Sequence, residues 1–182
     1  MTRTELGNLL NVEEDFIPEG KKNRPRTPNS LKYITIHNTD NTNVGADARA
    51  HSKFVKNTGH YINDKGEKIW VSWHYTVDDG RVVKHLPLNE GCYHTFNGGN
   101  QQSIAIEICM NQGIDQEAAF LRAARLVAAL LYDLKKSSDS IVPHYFWTKK
   151  NCPRLLLNNG KPGAQWKNFI TLIETVYASI DS

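Results

Sequence analysis

The sequence predicts an α/β fold: a single domain with a mixed central β-sheet flanked by helices. Three observations predict it. Segments of strand character alternate with segments of helical character, the pattern of a sheet covered by helices. One pair of strand segments is joined by the tight turn Asp78-Asp79-Gly80, whereas the others are separated by helices, so antiparallel and parallel neighbours must share the sheet. The length, 182 residues, suits one domain with one core that needs no staples.

The elements follow in chain order. Residues 1–30 are polar and carry Pro18, Pro25, Pro28 and the basic stretch Lys21-Lys22-Asn23-Arg24, so they read as an N-terminal arm with at most a short helical turn. The domain proper is expected over 31–182. Tyr33 to His37 alternates apolar and polar residues and is β-branched, which predicts a strand. Asp47 to Asn57 predicts a helix, with Ala50 and Phe54 at i, i+4 spacing and Gly59 just past its end. Trp73 to Val77 and Arg81 to Leu86 flank the turn and predict a hairpin. Ile104 to Met110 predicts a second strong strand. Gln116 to Lys136 predicts the longest helix, with Ala119, Ala123, Leu126, Leu130 and Leu134 on one stripe. Ile141-Val142 reads as a short strand, and the stretch from His144 to Pro153 reads as a loop. Trp166 to Ile180 predicts a last helix that buries Phe169, Ile170, Ile173, Val176, Tyr177 and Ile180.

Composition narrows the function. Hydrophobic residues make up 40% and charged residues 23%, as in ordinary globular proteins. A net charge of +3 is too small to indicate nucleic acid, though it suits an anionic polymer. No apolar run reaches the roughly 20 residues of a membrane span, so no membrane insertion is expected. The first residues lack the apolar core of a signal peptide. Three cysteines, Cys92, Cys109 and Cys152, are too few and odd in number for a disulfide framework, and at least one thiol needs another use.

Three segments carry chemistry. In Ile104-Ala105-Ile106-Glu107-Ile108-Cys109, apolar residues occupy nearly every position, so the strand is buried on both faces with Glu107 in its middle. A buried carboxylate needs an ion pair, a ligand or a catalytic duty, and burial raises its pKa toward the range of a general base. His37 closes the first strand on the face opposite Ile34 and Ile36, where a site residue or a satisfied histidine could stand. His144 and Cys152 lie eight positions apart and can both reach one ion if the intervening segment curls back; an ordinary buried thiol is the alternative.

Taken together, ITIHNT at 34–39, WHYTVDDG at 73–80, SIAIEIC at 103–109 and the His144-to-Cys152 segment with KNCP at 150–153 resemble the N-acetylmuramoyl-L-alanine amidases of the type 2 amidase superfamily, which also holds the peptidoglycan recognition proteins. Order and spacing agree over about residues 31 to 178. The nearest likeness is to catalytic domains of phage endolysins and of prophage or autolytic amidases. The resemblance implies one Zn²⁺ per chain held by His37, His144 and Cys152, with Glu107 as the catalytic carboxylate and Lys150 helping to stabilise an oxyanion. It places His74 and His94 along the substrate cleft, and Asn38, Thr39, Tyr75 and Asn97 are further cleft candidates. The implied partner is peptidoglycan, and the implied reaction is hydrolysis of the amide between N-acetylmuramic acid and L-alanine. Action on the cell wall without a signal peptide would suit release through a phage holin. Many such enzymes carry a wall-binding module after the catalytic part. Three rival readings stand beside this one: a non-catalytic recognition domain, a closed structural zinc site completed by His94 or Cys92, and an amidase that recycles small muropeptides.

Overall fold

Two strands rich in isoleucine form the centre of the sheet in the computed structural model, which describes residues 1–181. Strand β2 (Tyr33–Asn38) and strand β7 (Ser103–Ile108) run parallel, with His37 opposite Glu107 in register. On the free side of β2 lies β8 (Ile141–Pro143), also parallel, with Pro143 opposite Ile36. On the free side of β7 lies β5 (Tyr75–Val77), parallel, which forms an antiparallel hairpin with β6 (Val82–Lys84). The edge strand β1 (Val12–Glu14) pairs parallel to β6. Among the described residues the order is therefore β1-β6-β5-β7-β2-β8, a mixed sheet as predicted.

Side-chain alternation divides the two faces. Ile34, Ile36, Ile104, Ile106 and Ile108 all point to one face, where α1 (Arg3–Leu10), α3 (Gln116–Leu134) and α5 (Ala164–Ala178) cover them in one cluster. The other face receives α2 (Ala48–Asn57) and a smaller cluster that includes Ile17, Val55, Trp73 and Leu86. His37 and Glu107 have the opposite parity to the isoleucines, so they emerge on this second face. Asp47 starts α2 and Asp115 starts α3, each accepting a hydrogen bond from a backbone N–H three residues on, as N-cap residues do.

Three sequence readings are corrected, and one hairpin is added. The N-terminal lead-in is not an irregular arm. Its first half forms α1 and β1, with Leu6 and Leu10 buried against α3, while residues 15–30 are irregular. The signal was Thr2 followed three residues later by Glu5, a reciprocal capping box. The segment after Pro143 is not all loop, because His144–Thr148 makes one short helix, α4. A second hairpin, β3 (His60–Ile62) with β4 (Lys68–Trp70), escaped notice. Its strands are too short and polar for a periodicity signal, and its turn is held by Asn63 Oδ1, which accepts from the Lys65 and Glu67 amides. Tyr177 is not buried: it is 38% exposed, while Phe169 and Ile173 carry the α5 contact. The cysteines are free, as expected.

Candidate active site

Parallel register assembles the site. His37, Glu107 and His144 stand at or just beyond the C-terminal ends of β2, β7 and β8, where ligands of open α/β sheets bind. Cys152 returns to the same point because its carbonyl accepts a hydrogen bond from the Tyr145 amide at 3.0 Å. His37 Nδ1 lies 3.1 Å from His144 Nδ1 and 3.7 Å from Cys152 Sγ. The donor atoms of the three residues fall within 4.8 Å of one another, and all three residues are buried. Glu107 Oε1 is 3.7 Å from His37 Nδ1.

The donor set suits a zinc ion. Tetrahedral zinc with nitrogen at about 2.0–2.1 Å and sulfur at about 2.3 Å needs ligand atoms roughly 3.3–3.6 Å apart, close to the separations found here. Burial, then the neighbouring His94, His144 and Lys150, hold the His37 imidazole well below its ordinary pKa. Burial and then Lys150 push His144 down to about 4. Both rings are therefore neutral near pH 7, with lone pairs free for a cation. Burial and then Glu107 push the Cys152 thiol up to about 12, although the Asn38 backbone amide opposes the shift. Burial likewise raises the Glu107 carboxyl to about 8, and Lys150 pulls against it. A thiolate and a carboxylate in one dry site are costly alone, and a divalent cation held by the donor set would offset that cost.

The cluster opens into a cleft. One chamber of about 140 Å³ touches His37, Glu107, His144, Lys150 and Cys152. It adjoins a chamber of about 310 Å³ walled by His51, Phe54, Tyr61 and Trp73, with Thr39 and Glu107 shared between the two. Thr39 Oγ1 and Glu107 Oε2 are buried without a protein partner, as groups that meet a ligand would be. A larger hollow between α3 and α5, about 670 Å³, has no such donor cluster among the described residues.

The candidate residues part company here. Asn38 and Thr39 line the cleft, and Asn38 Oδ1 also anchors the returning segment by accepting from the Leu155 amide at 3.0 Å. His94 borders the cleft, but its ring sits behind His37, with 2.9 Å between His94 Nδ1 and His37 Nε2. His74 is fully buried and spent on structure: its Nδ1 accepts from the Ala105 amide at 3.0 Å and its Nε2 donates to the Glu90 carbonyl at 2.9 Å. Tyr75 points to the helix-covered face and joins the core. Asn97 is exposed outside the cleft and donates to the Trp147 carbonyl. The placement of His74, Tyr75 and Asn97 therefore corrects the expectation that they line the cleft. Cys92 packs against His74 at 3.4 Å, and neither Cys92 nor His94 joins the donor cluster as a fourth ligand. Sequence reasoning missed Tyr61, Trp73 and Phe96 as cleft walls. Phe96 carried no signal, being 68% exposed on a positive-φ turn.

A mixed α/β sheet that gathers a His/His/Cys donor set and a carboxylate at parallel strand ends defines a candidate metal site beside a candidate acid–base group. Comparison with known proteins gives the family. The Amidase_2 family, N-acetylmuramoyl-L-alanine amidase, matches residues 27–155, and the chain belongs to it. The chain is 43% identical over 153 residues to the N-acetylmuramoyl-L-alanine amidase XlyA of Bacillus subtilis (strain 168), covering 82% of this chain and 48% of that protein. It is 39% identical over 171 residues to the N-acetylmuramoyl-L-alanine amidase CwlH of the same organism, covering 92% of this chain and 62% of that protein. It thus spans about half the length of the first relative and under two thirds of the second. The solved catalytic domain of XlyA superposes with a TM-score of 0.78 at 42% identity, covering 90% of this chain and 99% of that one.

Proposed function

We propose that this chain is a zinc-dependent N-acetylmuramoyl-L-alanine amidase that hydrolyses the bond between the lactyl group of N-acetylmuramic acid and the L-alanine of the stem peptide, and so opens bacterial cell wall. The observation that carries the reading is the buried His37/His144/Cys152 donor set within 4.8 Å, beside Glu107 and open to a cleft. Family membership supports the same bond as the target. No described helix is long and apolar enough to cross a membrane.

His37, His144 and Cys152 would hold the ion beside the cleft. Bound there, zinc supplies a Lewis acid and a water that is nucleophilic near neutral pH. Glu107 takes the proton of the attacking water, and its dry surroundings suit a base that works near neutrality. The same carboxyl then delivers that proton to the nitrogen of the departing L-alanine. Lys150 stands at the exposed mouth of the cleft, where its charge stabilises the oxyanion that develops on the lactyl carbonyl. Trp73 and Tyr61 wall the approach and displace water from the reacting bond.

The test is digestion of purified peptidoglycan by metal-free protein before and after zinc is restored, with mass analysis of the products. Stem peptides with a free L-alanine amino terminus, released only with zinc, are the expected result. Zinc bound stoichiometrically with no release from any wall would turn the reading to a recognition domain.

A further inference from the structure

We infer that His94 is a positioning residue that fixes the tautomer of His37, and that a buried hydrogen-bond chain from Trp147 through Thr35, Ser103 and Gly99 holds His94 in that role. The inference rests on the metal-holding role proposed for His37.

Gly99 offers a carbonyl oxygen, the one member of this hydrogen-bond chain that cannot donate. The Gly99 carbonyl lies 3.1 Å from His94 Nε2. A carbonyl only accepts, so His94 carries its proton on Nε2. Its Nδ1 is then bare and can only accept. That Nδ1 is 2.9 Å from His37 Nε2, so His37 must carry its proton on Nε2. The bare nitrogen of His37 is therefore Nδ1, the atom that faces His144 Nδ1 and Cys152 Sγ. The opposite tautomer would aim a proton at the cation and lone pair at lone pair on the far side.

The Gly99 carbonyl is itself held in place. Trp147 Nε1, a donor only, gives to Thr35 Oγ1 at 3.0 Å. Thr35 gives to Ser103 Oγ at 2.8 Å, and Ser103 gives to the Gly99 carbonyl at 2.9 Å. Ser103 Oγ also lies 3.2 Å from His94 Nε2, and with its own proton on the Gly99 carbonyl it meets that N–H as a second acceptor. The chain also links the two ligand-bearing elements, because Thr35 is on β2 with His37 and Trp147 is on α4 with His144. Gly99 must be glycine for this packing: a Cβ there would lie 2.6 Å from Thr95 Oγ1 and 2.8 Å from Trp147 Cε2. Such outer partners commonly decide metal affinity by ten- to a hundred-fold.

The first measurement uses the unaltered protein without metal. Two-bond ¹H–¹⁵N spectra of histidine-labelled chain at pH 8 should show His37 protonated on Nε2 and bare on Nδ1. A proton on His37 Nδ1 would overturn the inference. The second compares zinc affinity, by competition with a chelator, in His94→Leu and His94→Asn. An asparagine oxygen can take the place of His94 Nδ1 as acceptor, whereas leucine cannot. The leucine variant should bind zinc about 10–100-fold more weakly and show mixed His37 tautomers, while the asparagine variant recovers most of the affinity. Folded His94→Leu with wild-type affinity would sink the idea. Should wild type bind no zinc at all, the metal reading fails, and the wild-type spectrum still decides the tautomer.

Discussion

Glu107 and Cys152 make different demands on the same pocket, and substitution separates them. Glu107→Gln keeps the shape and the three proposed ligands, so zinc affinity should change little while turnover on peptidoglycan falls about 10²- to 10⁴-fold. Cys152→Ala should lose zinc first, read as metal content after dialysis, with the fold intact by circular dichroism. Glu107 stood out in the sequence as a carboxylate in an apolar strand, whereas the roles of His37, His144 and Cys152 followed from the family resemblance, because a strand-end histidine or a buried thiol is often only structural. The histidine at 74 was misread because its neighbourhood is decided by packing that no spacing reveals. It and His85 are instead buried neutral groups, and burial lowers their pKa values from 6.5 to about 4 and about 3. As pH falls below 6.5 the unfolded chain takes up protons that the folded chain refuses. Stability is thus fully present above about pH 6.5 and is lost on acidification at about 1.4 kcal/mol per pH unit for each group. Urea unfolding of metal-free protein at pH 7.5 and pH 5 measures this, and equal stabilities would contradict it.

Among the elements, α1 is where sequence and structure differ most. A polar, proline-flanked start looks like an arm, yet Leu6 is fully buried and Arg3 makes a two-point ion pair with Asp133 on α3. Leu6→Ala should therefore cost about 2–5 kcal/mol of stability, as in other cores, whereas a loose arm would cost nothing. Denaturant midpoints at unchanged slope distinguish the two. The long strands and helices were readable because each has six or more residues of clear period. Hairpin β3–β4 and helix α4 were not, since three to five residues hold less than two periods of any pattern. α4 is held by a partner distant in sequence, Thr35, and it matters because it begins with His144.

For the whole molecule, zinc should act as a fold-stabilising ligand as well as a reagent. At about a hundred times its dissociation constant a ligand adds about 2.7 kcal/mol, and in a domain of this size each kcal/mol moves the midpoint by about 2–4 °C. Scanning calorimetry with chelator and with zinc should thus differ by several degrees, and coincident melts would argue against a site that needs the native state. The layered architecture was predictable because alternation of element types and one turn determine it, whereas the strand order was not: it depends on which edges remain open as the sheet grows. The placing of β8 beside β2 has a kinetic consequence. His37 and His144 are separated by 107 positions along the chain, and their meeting requires that late, distant edge to zip. A partly folded chain can own all its helices and still have no chelating pocket. During refolding, uptake of a metal indicator should trail the return of helical signal, because the donor set is complete only when the last strand has docked.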